Sequence, residues 1–313
     1  MLELSWCLLA LQLLLFLFTL RRAARPAPPP PPPPAPVDVE AAVAEAPRAK
    51  KGKGKRQVVH IRPEDRRPPA VPPQVRPLRP RADARVDPAQ LVLVAGAEAA
   101  RGAARAAVLI LPGGNYDNCN LRGPLEVALW LQSLGLAAYI LRFRLRTEGH
   151  FWPAQLEDGL EALRLIGEEV AKRPIGVLGF SAGGHLASVL ATHHPHLLAF
   201  HILIYGSTDV ETPAWDPWLT RLGYPGIDFN TVKAVNAQTP PLFAAVSTED
   251  EIASYEENTR PYVDACRRCR VPVEVVLAKM GSHGHGMVDL WTKPCEAWLR
   301  AHHWAPKKRK RSK

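Results

Sequence analysis

The chain has 313 residues, 47% of them apolar and 22% charged, with a net charge of +10, which excludes a wholly disordered chain and allows one or two packed domains. Five scattered cysteines, Cys7, Cys119, Cys266, Cys269 and Cys295, exclude a disulfide framework. The charge does not describe a nucleic-acid-binding domain, because much of the excess sits in two short runs, Lys50 to Arg56 and Lys307 to Lys313.

Leu2 to Leu20 is almost wholly apolar, interrupted only by Glu3, Ser5, Gln12 and Thr19. As a helix it spans about 28 Å, close to the hydrocarbon thickness of a bilayer. The basic residues Arg21, Arg22 and Arg25 follow it rather than precede it. That pattern predicts a single-pass anchor over residues 1–24 with the rest of the chain in the cytoplasm. A cleaved signal peptide, which would send the chain to the secretory pathway, is the alternative. Residues 25–88 carry a proline run from Pro28 to Pro34 and then Lys/Gly-rich and Arg/Pro-rich stretches. Such a composition buries too little apolar surface to offset chain entropy, so it reads as a disordered tether.

From residue 89 to 305 short apolar runs alternate with amphipathic stretches, the pattern of a mostly parallel sheet with helices on both faces. Strands are expected at Leu91–Val94, Ala107–Leu111, Ala137–Leu141, Ile175–Leu178, Phe200–Ile204, Leu242–Val246 and Val273–Leu277. Helices are expected at Leu125–Leu134, Pro153 to Ala171, Ala182–His193, Tyr255–Arg270 and Val288–His302. A Trp/Pro/Gly-rich stretch, from Thr208 to Pro240, contains Trp215–Trp218, a candidate pocket wall or packing element. Residues 306–313 form a basic tail, which with the Lys50–Arg56 run is open to contact with an anionic surface. Cys266-x-x-Cys269 falls on an expected helix and has no second ligand pair, so no metal site is predicted.

The chemistry centres on Gly179-Phe180-Ser181-Ala182-Gly183. This G-x-S-x-G run stands between an expected strand and an expected helix, the setting of a nucleophile elbow. The serine needs a tight turn, and its flanking glycines allow close backbone approach. A helix N-terminus directs N–H groups and positive potential to the same point. Leu111-Pro112-Gly113-Gly114-Asn115-Tyr116 follows the strand Ala107–Leu111. Acyl transfer needs N–H donors for a developing oxyanion, and Ala182 with Gly113, Gly114 or Asn115 can supply them. An acid and then a histidine must follow the serine. Glu249, Asp250 and Glu251 lie just past one expected strand, and Asp250 is favoured. His283 and His285 lie in a glycine-rich loop past the next, and His283 is favoured. His193, His194 and His196 lie at the far end of the elbow helix and read as surface residues.

With these residues in place, the domain resembles the α/β-hydrolase esterases of the acetylxylan-esterase and bifunctional feruloyl/acetyl-esterase type, kin to the hormone-sensitive-lipase group. The resemblance runs in order through PGGNY at Pro112–Tyr116, FRL at Phe143–Leu145, Pro153 to Arg164, GFSAGGHLA at Gly179–Ala187 and GSHGHG at Gly281–Gly286. It puts the family histidine on His283, with His285 in place of the usual aromatic residue. Asn115 replaces a glycine, which is expected to narrow the oxyanion loop. The acid loop Asp250-Glu251-Ile252-Ala253-Ser254 lacks the family's Val-Pro step. The resemblance implies an α/β-hydrolase fold and a serine carboxylic-ester hydrolase without metal or cofactor. The implied substrate is a small-molecule or glycan ester with a short acyl group, such as an O-acetylated carbohydrate. Two alternatives stand beside it, an amide hydrolase of arylformamidase type and a catalytically silent scaffold.

Overall fold

The structure is a computed structural model that describes residues 74–79, 89–93, 104–171, 173–208 and 230–307. The expected anchor or signal segment, most of the tether, Trp215–Trp218 and the tail past residue 307 lie outside the described residues. Among the described residues no helix is long and apolar enough to cross a membrane.

Eight strands form one sheet: β1 Gln74–Pro77, β2 Gln90–Leu93, β3 Ala107–Leu111, β4 Ala137–Arg142, β5 Ile175–Phe180, β6 Phe200–Ile204, β7 Leu242–Ser247 and β8 Val273–Ala278. Their order across the sheet is β1-β2-β4-β3-β5-β6-β7-β8. β2 runs antiparallel to both β1 and β4, and every other pair is parallel. Parallel neighbours require crossovers, and the helices that make them cover both faces. α1 (Arg122–Ser133) and α6 (Asp289–Ala301) lie on one face, where Leu125, Leu131, Trp291 and Trp298 join Val108 and Ile110 of β3. α2 (Ala154–Glu169) and α3 (Ala182–His193) lie on the other, where Leu163, Ile166, Leu186 and Leu190 meet Leu109 and Leu111. The side chains of β3 thus alternate between two cores, as the two-residue strand period requires. Burial on both sides is why β3 reads as an uninterrupted apolar run, and β4 and β6 as runs broken only by Arg142 and His201, rather than as alternating ones. α1 stops where Gly135, at φ 84°, turns the chain left-handed, with Gly135 N–H on Gln132 O and Leu136 N–H on Leu131 O.

Two expectations change. The segment assigned to the tether, 25–88, contributes β1 to the sheet. Leu78 is fully buried and Arg79 pairs with Asp158 of α2 at 2.9 Å. β1 was hidden because Arg76 and Pro77 break the alternation. Proline is tolerated there because β1 is an edge strand, whose outer face needs no ladder donor. The single helix expected over Tyr255–Arg270 is a π turn at Tyr255–Thr259 followed by α5, Arg260–Arg268. Pro261 has no N–H to continue the ladder from the preceding turn, so regular α geometry begins around it. A short helix, α4 (Thr231–Ala234), capped by the Asn230 side chain, precedes β7.

One buried group on this scaffold links fold to pH. His201 of β6 is fully buried beside Tyr262 of α5, and its Nε2 has no hydrogen-bond partner among the described residues. Burial lowers its pKa to about 3 from an ordinary value of 6.5. The unfolded chain therefore binds a proton between those values that the folded chain refuses. The stability His201 permits is complete above pH 6.5 and is lost as pH falls toward 3. The expected loss is at most about 1.4 kcal/mol per pH unit in that window. His201→Leu should flatten the slope of the urea midpoint between pH 6.5 and 4.5; an unchanged slope would assign the acid sensitivity elsewhere.

Candidate active site

The site forms where the C-terminal ends of β3, β5, β7 and β8 converge. Ser181 sits between β5 and α3 with φ 50° and ψ −121°, a conformation that costs a non-glycine residue about 1–3 kcal/mol. Its surroundings hold it there. The Ser181 carbonyl accepts from Gly184 N–H at 2.8 Å, His185 N–H at 3.2 Å and Ser207 N–H at 3.3 Å. The turn closes because neighbouring positions lack side chains: a Cβ on Gly183 would lie 2.2 Å from the Leu111 carbonyl oxygen.

The loop after β3 comes directly against this turn. A Cβ on Gly113 would lie 3.1 Å from both the Phe180 oxygen and the Ser181 Cβ. Gly114, Asn115 and Tyr116 follow with φ of 128°, 56° and 60°, and the Gly114 carbonyl accepts from the N–H groups of Asp117 and Asn118. Asparagine tolerates the left-handed region through local side-chain bonding. The Asn115 side chain is exposed and donates to Asp117 Oδ2 of its own loop at 3.2 Å. Gly113, Gly114 and Asn115 line the same cleft as Ser181, and Ala182 is the first residue of α3.

The carboxylates past β7 separate into distinct roles. The Asp250 side chain is fully buried, and its Oδ1 accepts from Ile252 N–H at 3.0 Å and Ala253 N–H at 2.8 Å. His283 Nδ1 lies 2.9 Å from Asp250 Oδ2 and 3.1 Å from Oδ1, and His283 Nε2 lies 2.9 Å from Ser181 Oγ. A carboxylate on Nδ1 requires the proton there, which leaves Nε2 to accept from the serine hydroxyl. Glu249 instead ties the histidine loop from outside, accepting from Gly281 N–H at 3.1 Å and pairing with Lys279 at 3.0 Å. Glu251 is exposed. His285 is bonded otherwise: its Nδ1 donates to Gly286 O at 3.0 Å, its buried Nε2 has no partner among the described residues, and burial lowers its pKa.

Sequence reasoning missed the groups that hold these parts together. Tyr116 is buried, burial raises its pKa, and its hydroxyl is hydrogen-bonded with His185 Nδ1 of α3 at 2.8 Å. This bond fastens the loop after β3 to the elbow helix. Asp117 takes two bonds from Arg146, at 3.0 and 2.7 Å, and Arg146 N–H donates to the Tyr116 carbonyl. Behind them Asp158, fully buried, accepts from Arg144 N–H and Nε at 2.8 and 2.9 Å. The segments Phe143–Leu145 and Pro153 to Arg164 are therefore braced to each other, one step removed from the cleft. The signal for the first pair was present: a histidine inside an otherwise apolar, buried helix needs a partner.

A family model described as an alpha/beta hydrolase fold matches residues 130–287, just over half of the chain. The chain is 27% identical over 203 residues to an acetylxylan esterase of Xylanibacter ruminicola, across 60% of this chain and 42% of that protein. It is 26% identical over 212 residues to an endo-1,4-beta-xylanase B of Butyrivibrio fibrisolvens, across 58% of this chain and 32% of that protein. It thus spans less than half the length of these curated relatives. The crystal structure of an acetyl ester-xyloside bifunctional hydrolase from Caldicellulosiruptor lactoaceticus aligns with a TM-score of 0.61 at 26% identity, over 76% of this chain and 99% of that one.

Proposed function

The chain belongs to the α/β-hydrolase family, and from that premise we propose that it is a serine carboxylic-ester hydrolase acting on a short-acyl ester. The observation that carries the proposal is the unbroken hydrogen-bond chain from Asp250 through His283 to Ser181 Oγ. In the first step His283 Nε2 takes the serine proton as Ser181 Oγ attacks the ester carbonyl. The carbonyl oxygen becomes an oxyanion held by the N–H of Ala182 and an N–H of the Gly113–Asn115 loop. Asp250 holds the imidazole in its working tautomer and stabilises its charge. The tetrahedral intermediate collapses, the alcohol leaves with the proton from His283, and an acyl-enzyme remains. Water, deprotonated by His283, then releases the acid and restores Ser181.

An O-acetylated carbohydrate is the favoured substrate, because an acetylxylan esterase and an acetyl ester-xyloside hydrolase are among the proteins this chain is similar to. An N-formyl amide suits the same machinery, and comparing its turnover with that of an acetyl ester separates the two. The test of the hydrolase itself is covalent labelling of the full chain with a fluorophosphonate. Wild type should label and Ser181→Ala should not. Labelling that survives Ser181→Ala, or its absence from wild type, would leave a hydrolase fold serving as a scaffold.

A further inference from the structure

Hydroxyl groups buried in this fold are, with few exceptions, spent on the protein itself. Tyr116 bonds His185, Tyr139 donates to Glu169 at 3.0 Å, Ser188 to Gly184 O, Thr192 to Ser188 O and Thr231 to Thr208 O. Thr208 donates to the Asn258 carbonyl. Tyr205 and Ser207, just past β6, differ. Tyr205 is 7% exposed and Ser207 4%, and both line the cleft with Ser181. Neither hydroxyl makes a hydrogen bond among the described residues. Two residues more than nine-tenths buried, whose hydroxyls open only to the cleft and bond no described residue, offer polar groups that a ligand entering the cleft can engage.

Their placement identifies which part of a ligand that is. The Tyr205 ring stands edge-on to His283, with ring centroids 5.1 Å apart, and Ser207 N–H donates to the Ser181 carbonyl. In acyl transfer the carbonyl oxygen turns to the N–H donors of the oxyanion loop, whereas the leaving alcohol must face His283 to receive its proton. The group beside His283 is therefore on the alcohol side. Burial, with the Asp250 charge nearby, raises the Tyr205 pKa, so the phenol is a dependable donor. A serine hydroxyl both donates and accepts. That pair of properties matches another hydroxyl, which can accept from the phenol while trading a bond with the serine, whereas an ammonium group, which only donates, cannot take the phenol's hydrogen.

We infer that Tyr205 and Ser207 form an alcohol-side subsite that binds a free hydroxyl neighbouring the esterified oxygen of the substrate. This rests on the proposed Ser181 chemistry and goes beyond it, because it assigns selectivity for a polyhydroxylated leaving group to two named side chains. A site built to bond a hydroxyl discriminates against the ligand that lacks it, since its own polar groups are then left unmade.

The test is a matched pair of esters, trans-2-hydroxycyclohexyl acetate and cyclohexyl acetate, which differ only by the vicinal hydroxyl. The full-length wild type should prefer the hydroxy ester by about tenfold in kcat/KM, the return on one or two neutral hydrogen bonds. Tyr205→Phe keeps the ring against His283 and removes only the hydroxyl, and Ser207→Ala does the same for the serine. Each should shrink the preference about threefold, and the double variant should bring it near unity. A preference that survives both substitutions, with any loss shared equally by the two esters, assigns Tyr205 to packing on His283 and overturns the subsite. Wild type that turns over both esters without preference overturns it as well. Wild type that turns over neither overturns the hydrolase proposal, and the subsite with it.

Discussion

His283→Ala is expected to lower kcat on an acetyl ester by about 10⁴–10⁶, the scale seen when the base of a serine triad is removed. His285→Phe, two residues away, should stay within about tenfold of wild type. The contrast follows from where each ring sends its nitrogens. His283 is bonded at both, to Asp250 and to Ser181. His285 spends Nδ1 on the Gly286 carbonyl, and its buried Nε2 has no partner among the described residues. Phenylalanine keeps a ring against Tyr205, where the two centroids are 4.7 Å apart. It also removes a buried nitrogen whose missing bond costs about 1–3 kcal/mol, so the variant should melt no lower than wild type. Steady-state kinetics and thermal melts of the two variants decide the matter. A loss with His285→Phe as deep as that with His283→Ala would move the general base to His285.

The difference between these histidines marks how far the sequence could be read. Ser181 stood out because everything that identifies an elbow is local: one strand, one turn and one helix within twenty residues. The strands were legible for a related reason, since β3 and β6 are covered on both faces and are therefore apolar at every position but His201. Choosing among Glu249, Asp250 and Glu251 was harder, because three adjacent carboxylates have nearly the same composition around them. What separates them is a turn in which Asp250 Oδ1 caps the N–H groups of Ile252 and Ala253 and points its other oxygen at His283. The link between Tyr116 and His185 joins residues 69 positions apart, beyond the reach of any local pattern. β1 escaped notice because a four-residue edge strand with Arg76 and Pro77 in it carries no period-two signal, and its place in the sheet is set by its partner β2. The Tyr205–Ser207 pair left no trace either, because an unbonded hydroxyl is a property of the fold and not of the residue type.

Gly183→Ala should lower kcat by about 10²–10³ with little change in KM, and should cost about 1–3 kcal/mol of stability. The added Cβ would come 2.2 Å from the Leu111 oxygen and 2.4 Å from the Pro112 oxygen, both backbone atoms that cannot swing aside. Relief requires α3 and the loop after β3 to separate by about 1 Å, if carbon and oxygen are to regain normal contact. That displacement has a chemical consequence, because Ser181 caps α3 and Ala182 opens it, while the loop carries Gly113 and Gly114. The two halves of the oxyanion site would part, and a misplacement of that size is enough to cost about 10² in rate. Ground-state binding, which depends on the cleft walls, would change less. Gly167→Ala provides the comparison. It lies inside α2, where the nearest atom to a new Cβ is the Ile175 Cδ1 at 3.9 Å, and it should gain about 0.5–1 kcal/mol from helix propensity while leaving kcat alone. Wild-type kcat in Gly183→Ala would show that the N–H donors sit elsewhere. A rate loss in Gly183→Ala, absent from Gly167→Ala, would locate the oxyanion donors at the seam between the elbow and the loop after β3.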